Sequence, residues 1–133
     1  MKKLISALAF LAVACAPLLA HHSFASQYDR NKSMTVTGIV TKVDWRNPHV
    51  YFYLDVKDEA SGAVTNWAFE TGNLSTLMRG GWRKTTLKAG EVVTVDAFRA
   101  RDGSNLANSR TVTKSDGTKI FQGTQAAPEY AGQ

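Results

Sequence analysis

Cysteine is almost missing from this chain. Its 133 residues contain one, Cys15, and that one lies in the apolar stretch at the start. With no second thiol, no internal disulfide can form. If the first residues are removed on export, thiolate catalysis and thiolate metal ligation go with them. Charge of one sign is not in large excess either. The formal net charge is +5, and it falls to +3 once Lys2 and Lys3 leave, too mild to call for a nucleic-acid partner. The motifs of common enzymes are absent: no Gly-x-Ser-x-Gly, no His-Glu-x-x-His and no phosphate loop. The expectation is a binding protein, not an enzyme. Long apolar runs are also absent beyond residues 4–20. A spanning helix needs about 20 apolar residues, and Pro17 interrupts this run, so no membrane span is expected.

What stands at the start is the pattern of a signal peptide. Met1-Lys2-Lys3 is basic, Leu4 to Ala20 is apolar apart from Ser6, and Ala20 is a small residue at the cut. Cleavage after Ala20 exports the rest to the periplasm or beyond and makes His21 the first residue. A rival cut uses Ala12-Val13-Ala14-Cys15, which loosely resembles a lipoprotein box and would leave a lipid anchor on Cys15. The expected organisation is a signal peptide (1–20), an N-terminal arm (21–33), a β-barrel domain (34–123) and a flexible polar tail (124–133).

The clearest element is the stretch after Trp45-Arg46-Asn47-Pro48. Val50, Phe52, Leu54 and Val56 share one parity; Tyr51, Tyr53, Asp55 and Lys57 share the other. That is the period of a strand with one face on a core, and Asn47-Pro48 is a turn. Met34 to Trp45 reads as a preceding strand whose parity flips near Gly38, the sign of a bulge or bend. Ala63 to Glu70 reads as a third strand, broken by Thr71-Gly72-Asn73. Leu74, Leu77, Met78 and Trp82 then recur at helical spacing. Asn73 or Ser75 caps this short helix, Gly80-Gly81 ends it, and Leu74, Leu77 and Met78 are expected to plug one end of the sheet. Val92 to Arg99 and Ala107 to Lys114 are strands joined by an Asp102-Gly103 turn, and Lys119 to Gln122 is a short return. Three strands, a helix and two strands is the order of a five-stranded OB-type barrel. In the arm, Phe24 and Tyr28 are candidate anchors onto the domain.

Two functional readings follow. The first rests on the histidines, of which there are three. As first residue, His21 offers its α-amine and its imidazole Nδ1 to one metal ion. Both titrate near neutrality and can supply lone pairs. His22 or His49 would add a further imidazole. His49 stands where a turn meets a rigid strand. A nitrogen-rich set of this kind, a histidine brace, favours copper(II) among divalent ions. The second reading is a non-metal ligand- or protein-binding module. Trp45, Tyr51 and Tyr53 would then form a stacking surface on the second strand, as OB barrels use strands two and three, aided by the basic cluster Arg79, Arg83, Lys84 and Lys88.

The segments His21-His22-Ser23-Phe24-Ala25, Asp44-Trp45-Arg46-Asn47-Pro48-His49-Val50, Arg79-Gly80-Gly81-Trp82 and Arg101-Asp102-Gly103-Ser104 resemble a widespread family of small exported bacterial proteins of unknown function. The resemblance implies export and a small β-rich domain, and it brings no activity or functional residue. More remotely, the element order is similar to small periplasmic OB-barrel copper chaperones, which use a His, two Met and a Trp. Here no Met-x-Met pair exists, and Met34 and Met78 lie far apart, so any copper site would be nitrogen-based.

Overall fold

The alternation of residues 50–56 is realised in the second strand of a closed sheet. The structure is a computed structural model that describes residues 24–123. A single helical turn, α1 (Phe24–Gln27), leads into β1 (Tyr28–Asp44). β2 (His49–Lys57) and β3 (Val64–Asn73) follow, then a short helix α2 (Leu74–Arg79), then β4 (Val92–Ala100), β5 (Leu106–Lys114) and β6 (Lys119–Gln122). β1 pairs with β4 along its first part and with β2 along its second, both antiparallel. β3 pairs antiparallel with β2 and, from Ala68 to Glu70, parallel with β5. That last pairing closes the sheet, and with α2 between β3 and β4 it is the OB-type topology expected from the element order.

β1 is long because it serves both halves of the barrel. It starts at Tyr28, earlier than the expected Met34. The side chains of Asp29 to Ser33 are mostly exposed and polar, which hid the strand from a hydrophobic pattern, yet its backbone pairs with β4 and Tyr28 is 2% exposed. The bulge also differs from expectation. The register slips between Val40 and Lys42, not at Gly38. Gly38 answers a close approach instead: a Cβ there would lie 2.6 Å from the Asp55 carbonyl oxygen.

Val40, Val50, Phe52, Leu54, Phe69, Val93, Val95 and Val112 fill the barrel, and Leu77, Trp82 and Leu87 close one end. Trp82 Nε1 donates to the Ile120 carbonyl at 2.8 Å. Asn73 caps α2, its Oδ1 accepting from the amides of Ser75 (3.0 Å) and Thr76 (3.4 Å). Met78, expected in the plug, is 50% exposed: six residues present one narrow face inward, taken by Leu77 with Leu74 partly buried against the core. Among the described residues no helix is long and apolar enough to cross a membrane.

Candidate functional site

His49 is the first residue of β2, immediately after the cis Asn47–Pro48 peptide. The corner is fixed from below: the Leu74 amide donates to the Pro48 carbonyl at 2.9 Å, tying the start of α2 to the turn. Across the ladder His49 pairs with Asn73, but Tyr51 pairs with Glu70. Two residues of β3, Thr71 and Gly72, therefore face one of β2, Val50. The segment Thr71-Gly72, which reads as the end of a strand in sequence, is a bulge inside one. Bulges re-aim neighbouring side chains, and Thr71 secures this one by donating its hydroxyl to the Val50 carbonyl at 2.8 Å.

Glu70 follows the core residue Phe69, so alternation turns it outward. It is nevertheless only 6% exposed. Three side chains cover it. The Tyr28 hydroxyl donates to Oε2, His49 Nδ1 contacts Oε1, and the Tyr51 phenol reaches the same carboxylate. A buried carboxylate needs such donors, because burial without partners costs several kcal/mol, on the order of 1–3 even in mutational series. The donors feel the charge in return. Burial first, then the hydrogen bond to Glu70 and its charge, push the Tyr28 phenol far above its ordinary range. Burial first and then the Glu70 charge push Tyr51 up to about 12, with the Arg46 guanidinium pulling the other way.

These phenols make alkaline stability testable. A tyrosine ionises near pH 10 when unfolded. Tyr51 keeps its proton up to about 12 when folded. Its stabilising share is thus whole below pH 10 and is lost as pH rises from 10 to 12. Denaturant midpoints measured across that window should fall less steeply in Tyr51→Phe than in the parent; superimposable curves would refute the coupling.

On the imidazole, the contact with Glu70 settles the tautomer. Nδ1 donates to the carboxylate, so the lone pair of the neutral ring sits on Nε2. The His49 side chain is 41% exposed. The arrangement offers a nitrogen ligand whose orientation is set by a buried acid, the relation by which carboxylates commonly position metal-ligating histidines.

The other expected site residues are distributed unevenly. His21 and His22 lie outside the described residues. Among the described residues no three His, Cys, Asp or Glu side chains gather into a metal-sized cluster. Trp45 packs against the core, its ring 6.2 Å from that of Trp82. Tyr51 and Tyr53 stand together on the side of β2 away from the core, each beneath a cation: the Arg46 guanidinium lies 4.2 Å from the Tyr51 ring centre and Lys42 Nζ 5.6 Å from that of Tyr53. Of the basic cluster, Arg79 bonds Thr76 within α2, and Arg83 caps the carbonyls of Met78 and Trp82.

Sequence reasoning misses Glu70 as a site residue. Alternation places it outward, and nothing local shows what covers it. Tyr28 has a signal, an aromatic in an otherwise polar segment, and it does anchor. Phe24 packs on Tyr28 (ring centres 5.4 Å) and edge-on to Phe98 (6.0 Å). Arg101 fastens α1 to the β4–β5 turn through the carbonyls of Ala25 (2.7 Å) and Gln27 (2.9 Å).

Residues 8–109 match the sequence family described as "Family of unknown function (DUF6152)". The chain belongs to this family. No curated protein matches it. Among solved structures, the chain is similar to the mitochondrial single-stranded DNA-binding protein Rim1 of S. cerevisiae, with 11% identity and a TM-score of 0.49 over 69% of this chain and 96% of that one. The fold of this DUF6152 member rests on its own strand pairings, and its site on the side chains gathered around Glu70.

Proposed function

We propose that this protein is an exported binding protein, periplasmic or secreted, that holds a divalent metal ion, copper(II) foremost. The ligands are His49 Nε2 and the nitrogens of His21 and His22, the α-amine of His21 included. The observation that carries this reading is the pairing of His49 Nδ1 with the buried Glu70 carboxylate. It leaves the other imidazole nitrogen unengaged by Glu70 on a side chain that is 41% exposed, and a carboxylate behind the ring makes that nitrogen a stronger donor. An all-nitrogen set suits copper(II) at the top of the divalent series.

The path of the chain supports the partnership. Tyr28 bonds the same carboxylate as His49, and α1, just ahead of Tyr28, packs back on it through Phe24. His21 is three positions before Phe24, and an extended chain spans at most about 3.3–3.6 Å per residue. The histidine pair is thereby tethered within roughly 11 Å of Phe24, on the segment that leads to the Glu70 clasp. Export by cleavage after Ala20 would free the amine that completes the set.

The test is a copper(II) titration of the chain beginning at His21, of the same chain with one extra alanine ahead of His21, and of His49→Ala. Tight binding is expected in the first alone, with affinity reduced at least about 10-fold in the others by loss of a ligand. Equal, weak binding in all three would overturn the metal reading and favour a non-metal module that uses the Tyr51/Tyr53 side of β2.

A further inference from the structure

We propose that the end of the barrel closed by α2 is a docking surface for an anionic lipid membrane. This surface is separate from the Glu70 clasp and does not depend on the metal reading.

Between Glu70 and Glu91 the chain carries four cations, Arg79, Arg83, Lys84 and Lys88, and no acid. Most of this segment is α2 and the loop that follows it. Leu77, Trp82 and Leu87 are buried in the end of the barrel. That leaves their neighbours on the outside: Met78, Arg79, Arg83, Lys84 and Lys88 are all exposed. The chain folds back over the last turn of the helix. The Trp82 amide donates to the Leu77 carbonyl at 2.9 Å, and the Gly81 amide to that of Met78 at 3.2 Å. Arg83 Nη1 donates to the same Met78 carbonyl at 3.0 Å and to that of Trp82 at 2.8 Å. The Arg83 guanidinium is thus held beside Met78 at the helix end, where unpaired carbonyls favour a cation. Arg79 is the next residue of that helix end, and Lys84 the next of the loop.

None of the four cations forms an ion pair among the described residues. The bonds of Arg79 and Arg83 go to neutral oxygens, that of Arg79 to the Thr76 hydroxyl. The acids nearest in the chain and across the packing are engaged elsewhere. Glu91 accepts from the Lys88 amide at 2.7 Å and from Lys114 Nζ at 3.0 Å. Asp44, whose neighbour Trp45 packs on Trp82, faces Arg46. This end is therefore a positive pole. Met78, 50% exposed, is the one large apolar side chain exposed among the described residues of the segment, and it adjoins Arg79 and Arg83. Cations spread around a flexible apolar side chain suit an anionic membrane: the headgroups attract the charges and the methionine enters the boundary beneath them. A specific protein partner would call for a broad apolar centre poor in charge, and this surface is the reverse.

The probe is a vesicle of equal parts phosphatidylcholine and phosphatidylglycerol, set against one of phosphatidylcholine alone, with binding read by sedimentation. The chain beginning at His21 is used, because it lacks the apolar stretch 4–20 and keeps every described residue. The parent should bind the anionic vesicle only, and less as salt rises. A cation near such a surface is worth about fivefold in binding. Arg79→Ala and Lys84→Ala should each weaken binding by about that factor, and the double variant by about 25-fold. Both side chains are exposed, so the urea midpoint should stay at the parent's value. Met78→Ser should weaken binding at least about threefold, by a factor that salt leaves unchanged. Lys57→Ala is the control. Lys57 is exposed at the far end of β2, a strand of 9 residues whose near end is tied to α2; at about 3.3 Å per residue the two ends lie about 26 Å apart. Its loss should leave binding unchanged. An equal loss from Lys57→Ala would mean that net charge alone acts, and would overturn the proposal. Binding to both vesicles alike, or to neither, would overturn it too. Capture of soluble polyglutamate without either vesicle would replace it with an acidic protein partner.

Discussion

Glu70→Ala should destabilise the protein by about 2–4 kcal/mol and weaken copper(II) binding by about 10–100-fold. The two effects have separate origins. Removing the carboxylate leaves the Tyr28 hydroxyl without its acceptor at a residue only 2% exposed, where water cannot replace it. A buried unsatisfied donor costs about 1–3 kcal/mol. His49 and Tyr51 lie nearer the surface and can rehydrate, so their share of the stability loss is smaller. The loss of affinity comes through His49: without Glu70, the ring is free to turn and to exchange its tautomer, and Nε2 is no longer presented as a fixed donor. Urea unfolding and copper titration on the same variant measure both. A variant with the parent's unfolding midpoint and the parent's affinity would remove the clasp from the mechanism. Glu70→Gln should fall between, because its amide oxygen can still accept from one donor while its NH2 group faces another.

Phe69→Ala tests the neighbouring residue on the opposite side of the same strand, and it should separate fold from site. Phe69 is fully buried, stacked on Phe52 with ring centres 5.2 Å apart and planes 16° apart, with Trp67 a further contact at 6.4 Å. Deleting such a ring costs about 3–5 kcal/mol through lost burial and the cavity left behind. That is a large part of the 5–15 kcal/mol typical of a domain, so the urea midpoint should fall sharply with little change in slope. Copper affinity of the folded fraction should change little, because the ring packs on the core rings of Phe52 and Trp67, on the opposite side of β3 from Glu70. A large loss of affinity in folded Phe69→Ala would mean that the core and the clasp are mechanically one unit.

The strands that were legible in the sequence are those with a clear period. β2, β4, β5 and β6 lie within a residue of where alternation and the Gly turns put them, and α2 starts at its Asn73 cap. The misplaced boundaries share a cause. The start of β1 carries exposed polar side chains, and the end of β3 carries a bulge; both keep their backbone pairing while losing the hydrophobic alternation that reveals a strand. Met78 is exposed although it shares the spacing of Leu74 and Leu77, because helical spacing marks a face without saying how wide the packed part of it is. At the site, His49 stood out as the lone histidine of the domain and Tyr28 as an anchor. Glu70 did not, since an acid at an outward strand position looks the same in sequence whether water or three side chains cover it.

Sequence alone determined which residues alternate, where the turns fall, and hence that this is a small β-barrel with a histidine at a rigid corner, because those properties depend on neighbours a few residues apart. Only the tertiary structure decided that the corner histidine rests on a buried acid. Glu70 is 21 residues from His49 and 42 from Tyr28. What joins them is one slipped register between β2 and β3, together with a first strand that carries Tyr28 around the closed barrel. Register depends on the buried faces of both strands and on the turns that join them, so the residues of one strand do not show where its partner's bulge falls.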